Sequence, residues 1–598
     1  MALFEKRYTN KVLLDDTEKL TSVIENARTV DGHTEYVIRT QRGPLPERSW
    51  RVCRRYNDFV QLNGALSASG LNLSLPPKRI IGNMEPDFVA RRQTALQNYL
   101  HVILMNPILA SSLPMKKFLD PENYTAPLHE IALQQVSLAL RSDANYEVGK
   151  AIPDMGWRLR KHYYTVKNRQ NPKQELLLAW VEFGPDKHLQ DKDMQGVFKS
   201  LGTLKHAHIE GIVHQHVTEN GALTIRNFHA EGTLRDILCS TKPKQPFIKK
   251  YGNPKQTKSL SASEIATYGY EILEALSFLH EKGLPYGHLH TGNVLLSSAG
   301  AKLLDIENGL LGLPAFYRPY VVQRRKLHAT TQVDVYAFGH VLYEMAFGRP
   351  LMEATCSDLS HCDSSLKNLL DVILSPEALK QDLPTVPHLM EHPFFETAKR
   401  TASTNAGSME KPHFKLSSHL KDALLEASNK AELRLRDEQK VARHQKRLVK
   451  VQEMMSSEEE MKKRKQKLVI FKTRRGDRGK NRQKKEQKLA QEQRSLNQLG
   501  TNGTKQVNGK SPERSDSPTS TSTATSVGTV TPPSHGSSDL QTNPESRKAP
   551  APPPLPVSST SFGTNLPNVA PSNERTALLG SICMFDKSKL RKVANGVH

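Results

Sequence analysis

Residues 49–66 read SWRVCRRYNDFVQLNGAL, and two periodicities meet inside that stretch. Up to Tyr56 the side chains alternate. Trp50 and Val52 fall on one face and Arg51, Cys53 and Arg55 on the other, the repeat of a half-buried strand. From Tyr56 the period lengthens, and Phe59, Leu62 and Leu66 share one side of a helix. Arg54, Arg55 and Tyr56 therefore stand at a strand-to-helix junction. Upstream, HTEYVIRT (His33–Thr40) reads as a second strand, joined to the first through RGPLPER. Downstream, LPPKRIIGN (Leu75–Asn83) is a Pro-rich loop carrying Lys78 and Arg79. DFVARRQTALQNYLHVIL then sets Phe88, Ala95, Leu96, Tyr99 and Ile103 at helical spacing, with Arg92 on the same inward stripe.

A strand end, a loop and a helix thus each supply a basic group. A guanidinium fork matches phosphate oxygens bidentately, and the Tyr56 ring can stack on a sugar or inositol. The plainer alternative is a solvated strand end at Arg54 and Arg55, with Arg92 packing its stem and leaving its head in water. In their order and spacing, RRYNDF, LPPK and the Arg-bearing helix resemble the Phox-homology (PX) lipid-binding family, within a domain taken as 10–125. The resemblance implies a three-stranded sheet packed on helices that binds phosphatidylinositol 3-phosphate or a related phosphoinositide. It would set Arg55 on the 3-phosphate, Tyr56 on the inositol ring, Lys78 on the 1-phosphate and Arg92 on the ring hydroxyls.

Between residues 130 and 400 a second set of landmarks resembles the protein kinase family. EGTLRDIL (Glu231–Leu238) is similar to the segment after the hinge, and ILEALSFLHEKGLPYGHLHTGNVLL (Ile272–Leu296) to the helix leading into the catalytic loop. KLLDIEN (Lys302–Asn308) stands where the metal-binding triplet belongs. VDVYAFGHVLYEMAFGRP (Val333–Pro350) is similar to the Asp-led central helix. The chemistry departs from the family. Its loop reads His-Arg-Asp-Leu-Lys-x-x-Asn, whereas here Tyr286-Gly287-His288-Leu289-His290-Thr291-Gly292-Asn293 puts His288 for the Asp and His290 for the Lys. Val181 takes the position of the phosphate-pairing Lys, and Val197 that of the Glu which pairs with it. The phosphate loop, YEVGKAIPDMG, keeps only Gly149 and Gly156. Asn293 and Asp305 remain as the residual nucleotide and metal set. No cofactor is required on this reading, and ATP with magnesium would be held weakly. The expectation is a pseudokinase with no catalytic residue; the rival is a slow, atypical serine/threonine kinase recruited to endosomal membranes.

The tail changes character. Residues 415–490 form a basic helical segment with Leu420, Leu424, Leu433 and Leu435 as partial stripes. Between Lys440 and Lys488 stand 19 basic and 6 acidic residues, so 13 of the 23 net positive charges of the chain sit there. Anionic lipid is the functional reading and a solvated charged helix the plain one. Phe471 alone interleaves the basic run from Lys462, so nucleic acid is not the expected partner. Residues 491–572 are rich in Pro, Ser and Thr and read as disordered, with APAPPPLP (Ala549–Pro556) a stiff island suited to profilin or a Src-homology-3 domain. Residues 573–598 place Leu578, Leu579 and Ile582 on one helix face, followed by Leu590-Arg591-Lys592-Val593. That segment resembles the WASP-homology-2 motif, which implies binding to monomeric actin; docking of the helix on its own kinase lobe is the alternative.

The 598 residues carry 37% hydrophobic residues and 84 Lys+Arg against 61 Asp+Glu. No apolar run is long enough for a membrane helix, and Cys53, Cys239, Cys356, Cys362 and Cys583 show no metal or disulfide spacing. The fold class expected is multidomain α+β: a PX domain, a two-lobed kinase-like domain, a basic helix and a disordered tail. As a whole this order resembles the PX-domain-containing kinase-like family. The resemblance implies a cytoplasmic adaptor, peripheral on endosomal or plasma membrane, with the sodium/potassium pump's β subunit as a partner.

Overall fold

The computed structural model describes residues 13–497 except 80, 81, 83, 142, 298, 299 and 406–410, with side chains through 462 apart from 405. The C-terminal motif with Leu578, Leu579, Ile582, Leu590, Arg591, Lys592 and Val593 lies outside the described residues, as does nearly all of the linker before it. Contacts divide the chain into two units, Met1–Val449 and Lys450–His598.

The first unit opens with a three-stranded antiparallel sheet, β1 (Leu20–Val30), β2 (His33–Arg42) and β3 (Ser49–Arg55), paired in that order. β2 and β3 fall where alternation puts them. β1 escapes a hydrophobic-pattern reading because its inward positions Leu20, Ser22 and Ile24 include a hydroxyl, and a bulge follows at Ile24/Asn26. Helices α1 (Tyr56–Leu66), α2 (Pro86–Met105) and α3 (Leu113–Leu119) cover one face of the sheet. Phe59, Leu62 and Leu66 are buried, and the Phe59 ring meets Tyr36 and Phe118 edge-on at 6.1 and 4.9 Å. Leu96, Tyr99, Leu100 and Ile103 fill the inner side of α2; Phe88 and Ala95 are only partly covered.

A second antiparallel sheet follows, ordered β4 (Tyr146–Ile152), β5 (Lys161–Asn168), β6 (Glu175–Glu182), β8 (Gly221–Asn227), β7 (His214–Val217). Helix α4 (Leu128–Ala139) presses Ala132 and Val136 onto its outer face, against Tyr164, Leu178, Trp180 and Ile225. Helix α5 (Asp191–Leu201) lies between β6 and β7 in sequence and buries Met194, Val197 and Phe198. The large lobe gathers around α6 (Leu234–Leu238), α7 (Phe247–Tyr251), α8 (Ala262–Glu281) and α10 (Thr330–Phe347), with the short α9 (Arg318–Val321) before α10. Every residue from Val333 to Met345 is buried, so α10 is the central post of the lobe. Its Asp334 accepts hydrogen bonds from the backbone N–H of Tyr286 (3.0 Å) and Gly287 (2.6 Å) and from His280 Nε2 (2.8 Å). Gly287, at φ +70°, turns the chain so that both amides reach that carboxylate.

The PX-like part touches the kinase-like part. Ile248 of α7 packs on the first core, and Asn253 Nδ2 donates to Gly70 O at 3.0 Å. Asp16, ahead of β1, accepts from Tyr124 Oη (2.6 Å) and from Lys116 through its carbonyl (3.1 Å), and lies 3.5 Å from the Arg160 guanidinium.

The tail helix α11 (Ser418–Asn497) begins as part of this first unit. Leu424 and Leu435 are buried against the large lobe and Leu420 is partly buried, while Leu433 departs from the expected stripe and is 56% exposed. An eleven-residue spacing between Leu424 and Leu435 keeps one face inward, and Leu433 lies well off it. Gln439, 2% exposed, donates from Nε2 to the carbonyls of Val321 (3.2 Å), Arg324 (2.8 Å) and Leu327 (2.8 Å). Replacing Gln439 by Leu removes the donor of Leu327 O, while Val321 O and Arg324 O keep the backbone amides of Arg324 and Leu327; one buried carbonyl left short costs about 1–3 kcal/mol. Gln439→Leu is expected to lower the thermal unfolding midpoint and to speed proteolysis between residues 318 and 330; an unchanged midpoint would show the amide to be dispensable.

Candidate functional site

Two sites take shape, one in each part of the first unit. In the PX-like part, β3 and α1 meet at consecutive arginines with opposite fates. Arg54 is spent on structure: Nε donates to Phe118 O (2.8 Å) and Nη2 to Lys117 O (3.3 Å), at the C-terminal end of α3. Arg55 caps α1 and points outward, 54% exposed, with its nearest carboxylate, Asp58, at 3.7 Å. Tyr56 donates its hydroxyl to Pro76 O (2.5 Å), which brings the Pro-rich loop and Lys78 beside the junction. Arg92 lies face-on between Tyr56 and Phe88, at 4.3 and 4.2 Å from their ring centres, and donates to Pro77 O at 3.2 Å. Its Nε has no partner among the described residues. Strand, loop and helix thus bring Tyr56, Arg92 and the Pro76 and Pro77 carbonyls together, with Arg55 and Lys78 next to them in the chain. The alternative of a water-exposed Arg92 head does not hold: that side chain is 7% exposed.

The second site is the cleft between the five-stranded sheet and the large lobe, with about 130 Å³ of open space. Val181 and Val197, at the positions of the phosphate-pairing Lys and its Glu, both enter the apolar core. A lysine is nonetheless present. Lys161 of β5 pairs in register with Val181 of β6, so the two side chains share a face. Its ammonium lies 2.5 Å from Asp305 Oδ2. The amine that Val181 lacks is thus supplied from the neighbouring strand. Alternation in KHYYTV held the signal: Lys161 and Tyr163 face the cleft while Tyr164 and Val166 face α4.

Asp305 sits at φ +56°, a conformation that costs a non-glycine residue about 1 kcal/mol. Burial pushes its pKa up, but Lys161 and Arg226 outweigh that and hold it down at about 2. Arg226, at the hinge end of β8, is shared between Glu307 (2.6 Å) and Asp305 (3.7 Å). Glu307 is 1% exposed and turned inward. Asn293 donates Nδ2 to His288 O (3.1 Å), which fixes the loop.

The loop between β4 and β5 folds into the cleft. Its Trp157 ring meets Phe316 at 5.3 Å, and Arg158 donates to Pro314 O (2.9 Å) and lies 3.1 Å from His288 Nδ1. A guanidinium only donates, so Nδ1 of His288 is the acceptor. Burial and the adjacent Arg158 hold the His288 pKa well below the ordinary histidine range, so the ring is neutral with one lone pair already engaged. Such a ring is a poor proton acceptor for a substrate hydroxyl. His290 is likewise held neutral, by burial and then by Arg235; it stacks on Phe316 at 4.8 Å and accepts from Gly292 N at 3.1 Å.

What the fold and sites define is a PX domain joined to a pseudokinase. The PX domain family matches residues 45–122 and the protein kinase domain family residues 181–395. A PX domain-containing protein kinase-like protein of Mus musculus is 48% identical over 453 residues, covering 76% of this chain and 77% of the relative. The chain belongs to that family. The Slowpoke-binding protein of Drosophila melanogaster is 32% identical over 35% of this chain and 42% of its own length. A probable inactive serine/threonine-protein kinase, slob1, of Dictyostelium discoideum is 30% identical over 46% of this chain and 51% of its own.

The Arg226–Glu307 pair generates a double-mutant test. Arg226→Met alone strands a buried carboxylate and is expected to cost about 3–5 kcal/mol, whereas Arg226→Met with Glu307→Leu should fall within about 1–2 kcal/mol of the parent. Chemical denaturation of the four proteins gives the coupling, and additive losses would show that the pair does not act as a unit.

Proposed function

We propose that this chain is a phosphoinositide-targeted pseudokinase scaffold that holds a membrane protein and links it to actin. The observation that carries the proposal is the split between Arg54 and Arg55: one guanidinium is consumed by α3 carbonyls, while its neighbour stays solvent-facing beside Tyr56. Arg55 and Lys78 are then the groups for headgroup phosphates. Arg92, already oriented by two rings and the Pro77 carbonyl, meets ring hydroxyls. Among the described residues no helix is long and apolar enough to cross a membrane, so this pocket is the route proposed for attachment to endosomal or plasma membrane.

The kinase-like domain serves in this reading as a folded platform rather than a phosphotransferase. The loop position of the proton-accepting Asp is His288, a neutral ring already engaged by Arg158. A relative named for binding Slowpoke supports a role in binding rather than catalysis. The β subunit of the sodium/potassium pump is the cargo to test first. Leu578, Leu579, Ile582, Leu590, Arg591, Lys592 and Val593 would engage monomeric actin, and the Pro-rich run would engage profilin or a Src-homology-3 domain.

Arg55→Gln is expected to abolish co-sedimentation with liposomes containing phosphatidylinositol 3-phosphate at physiological salt, since charge-assisted hydrogen bonds to a phosphate contribute about 1.5–3 kcal/mol each. Equal pelleting of both proteins would sink the pocket assignment. For the C-terminus, a labelled 574–594 peptide should bind monomeric actin saturably by fluorescence anisotropy. Leu579→Ala with Leu590→Ala should weaken that binding by at least thirtyfold. No saturable binding by the parent peptide would remove the actin link.

A further inference from the structure

A protein kinase cleft ordinarily holds its nucleotide through magnesium ligated by an Asp and an Asn. The residues present here do not fit that metal. Asp305 Oδ2 is taken by the Lys161 ammonium at 2.5 Å, and Oδ1 faces the Arg226 guanidinium at 3.7 Å. A dication would have to enter between two fixed cations to reach this carboxylate. Asn293 donates Nδ2 to its own loop, which leaves its Oδ1 as one neutral oxygen beside a carboxylate already paired with cations.

The same cleft is rich in donors. Arg158 has no carboxylate within salt-bridge distance among the described residues; its hydrogen bonds go to a carbonyl and a neutral imidazole. His290 (4% exposed) and Arg226 (6% exposed) border the cavity, and Nε2 of the first and Nε of the second are buried without a hydrogen-bond partner among the described residues. His290 accepts at Nδ1, so Nε2 carries the proton and is a donor. The Arg158 guanidinium and the His290 imidazole N–H, both short of acceptors, stand beside the paired Lys161 ammonium and together are complementary to an anion with several oxygens rather than to a metal. Apolar walls from Leu177, Ala179 and Leu295 border them.

We propose that this cleft binds a phosphate group directly, without a divalent cation, with the Lys161 ammonium and Arg158 guanidinium occupying the electrostatic role that magnesium has in a kinase. The ligand class is a phosphate anhydride, as a nucleotide or as free polyphosphate. Positive charge fixed on the protein neutralises such a ligand but polarises no attacking hydroxyl, so binding without transfer follows. The site is independent of the PX pocket, and its failure would leave membrane targeting intact.

The test is calorimetric titration of the full-length protein with ATP, tripolyphosphate and adenosine, each with EDTA and with magnesium. The expected result is saturable ATP binding in EDTA, within about threefold of that in magnesium. Lys161→Met and Arg158→Met should each weaken it at least tenfold. Because Lys161→Met leaves Asp305 buried and unpaired, the charge-balanced Lys161→Met with Asp305→Asn is the folded control, and it too should lose binding while unfolding at a temperature near that of the parent. Tripolyphosphate binding as tightly as ATP assigns the site to free polyphosphate, and ATP binding alone assigns it to a nucleotide; both support the proposal. Binding seen only with magnesium, adenosine binding as tightly as ATP, or no saturable binding of any probe would overturn it.

Discussion

The guanidinium of Arg318 is shared by three carboxylates drawn from distant parts of the chain. Asp15 reaches it from ahead of the PX sheet (3.2 Å), Asp186 from the loop after β6 (2.9 Å) and Glu438 from the tail helix (2.9 Å). Arg434 of the tail helix adds a second contact to Asp186 at 2.6 Å. Arg318 begins α9, in the segment that follows Asp305 and precedes α10. In kinases that segment is the element whose ordering controls activity. Here its middle is fixed from three directions at once. Opposite-sign groups in such number keep the charges buried together, whereas loss of Arg318 would leave three carboxylates facing one another.

That constraint explains how the cleft tolerates its substitutions. With the following segment held by Arg318 and the loop held by Asp334, backbone geometry does not depend on the catalytic side chains. His288 and His290 could replace charged residues because their rings were given uncharged work, accepting a hydrogen bond from Arg158 and stacking on Phe316. Glu307, which adds an acid where the family has glycine, is neutralised by Arg226 from the opposite lobe. Each change at the old reaction centre has a partner. The result is a set of ion pairs bridging the lobes, a different design from a site whose carboxylates await a metal.

Much of this was legible in the sequence, and what was not has a physical pattern. The strand-to-helix junction at Arg55, the inward Arg92 and the loss at His288 and Val181 rest on local order and spacing, which one-dimensional reading handles. Lys161 was missed because its relation to Val181 is a cross-strand register, set by pairing between β5 and β6 rather than by distance in sequence. Arg226 and Glu307 stand 81 residues apart and are joined only by closure of the two lobes. The tail presented the reverse difficulty. Its charge drew attention to solvent and lipid, yet its first turns carry Leu424, Leu435 and Gln439 on a buried face, a pattern too sparse to separate from a charged solvated helix.

The docking of α11 also bears on what the kinase-like domain can offer a partner. Leu424, Ala427, Ala431 and Leu435 border a crevice whose far wall includes His288, Leu310, Leu313 and Val333. Glu432 accepts from the first amide of α10 at 2.9 Å, and Gln439 satisfies three carbonyls around the end of α9. Backbone groups between the end of α9 and the start of α10 are therefore already engaged by this chain's own helix. A peptide approaching that face would have to replace a buried amide, two leucines and the Arg318–Glu438 pair together. Because those contacts share one rigid helix, they are lost or kept as a set: displacement would take Glu438 from Arg318, leaving it Asp15 and Asp186, and remove the side-chain donor of Leu327 O at the same time. The exposed basic group at Arg55 is under no such restraint, so the two parts of the unit differ in kind: one presents its charge to solvent, and the other has turned its charge inward.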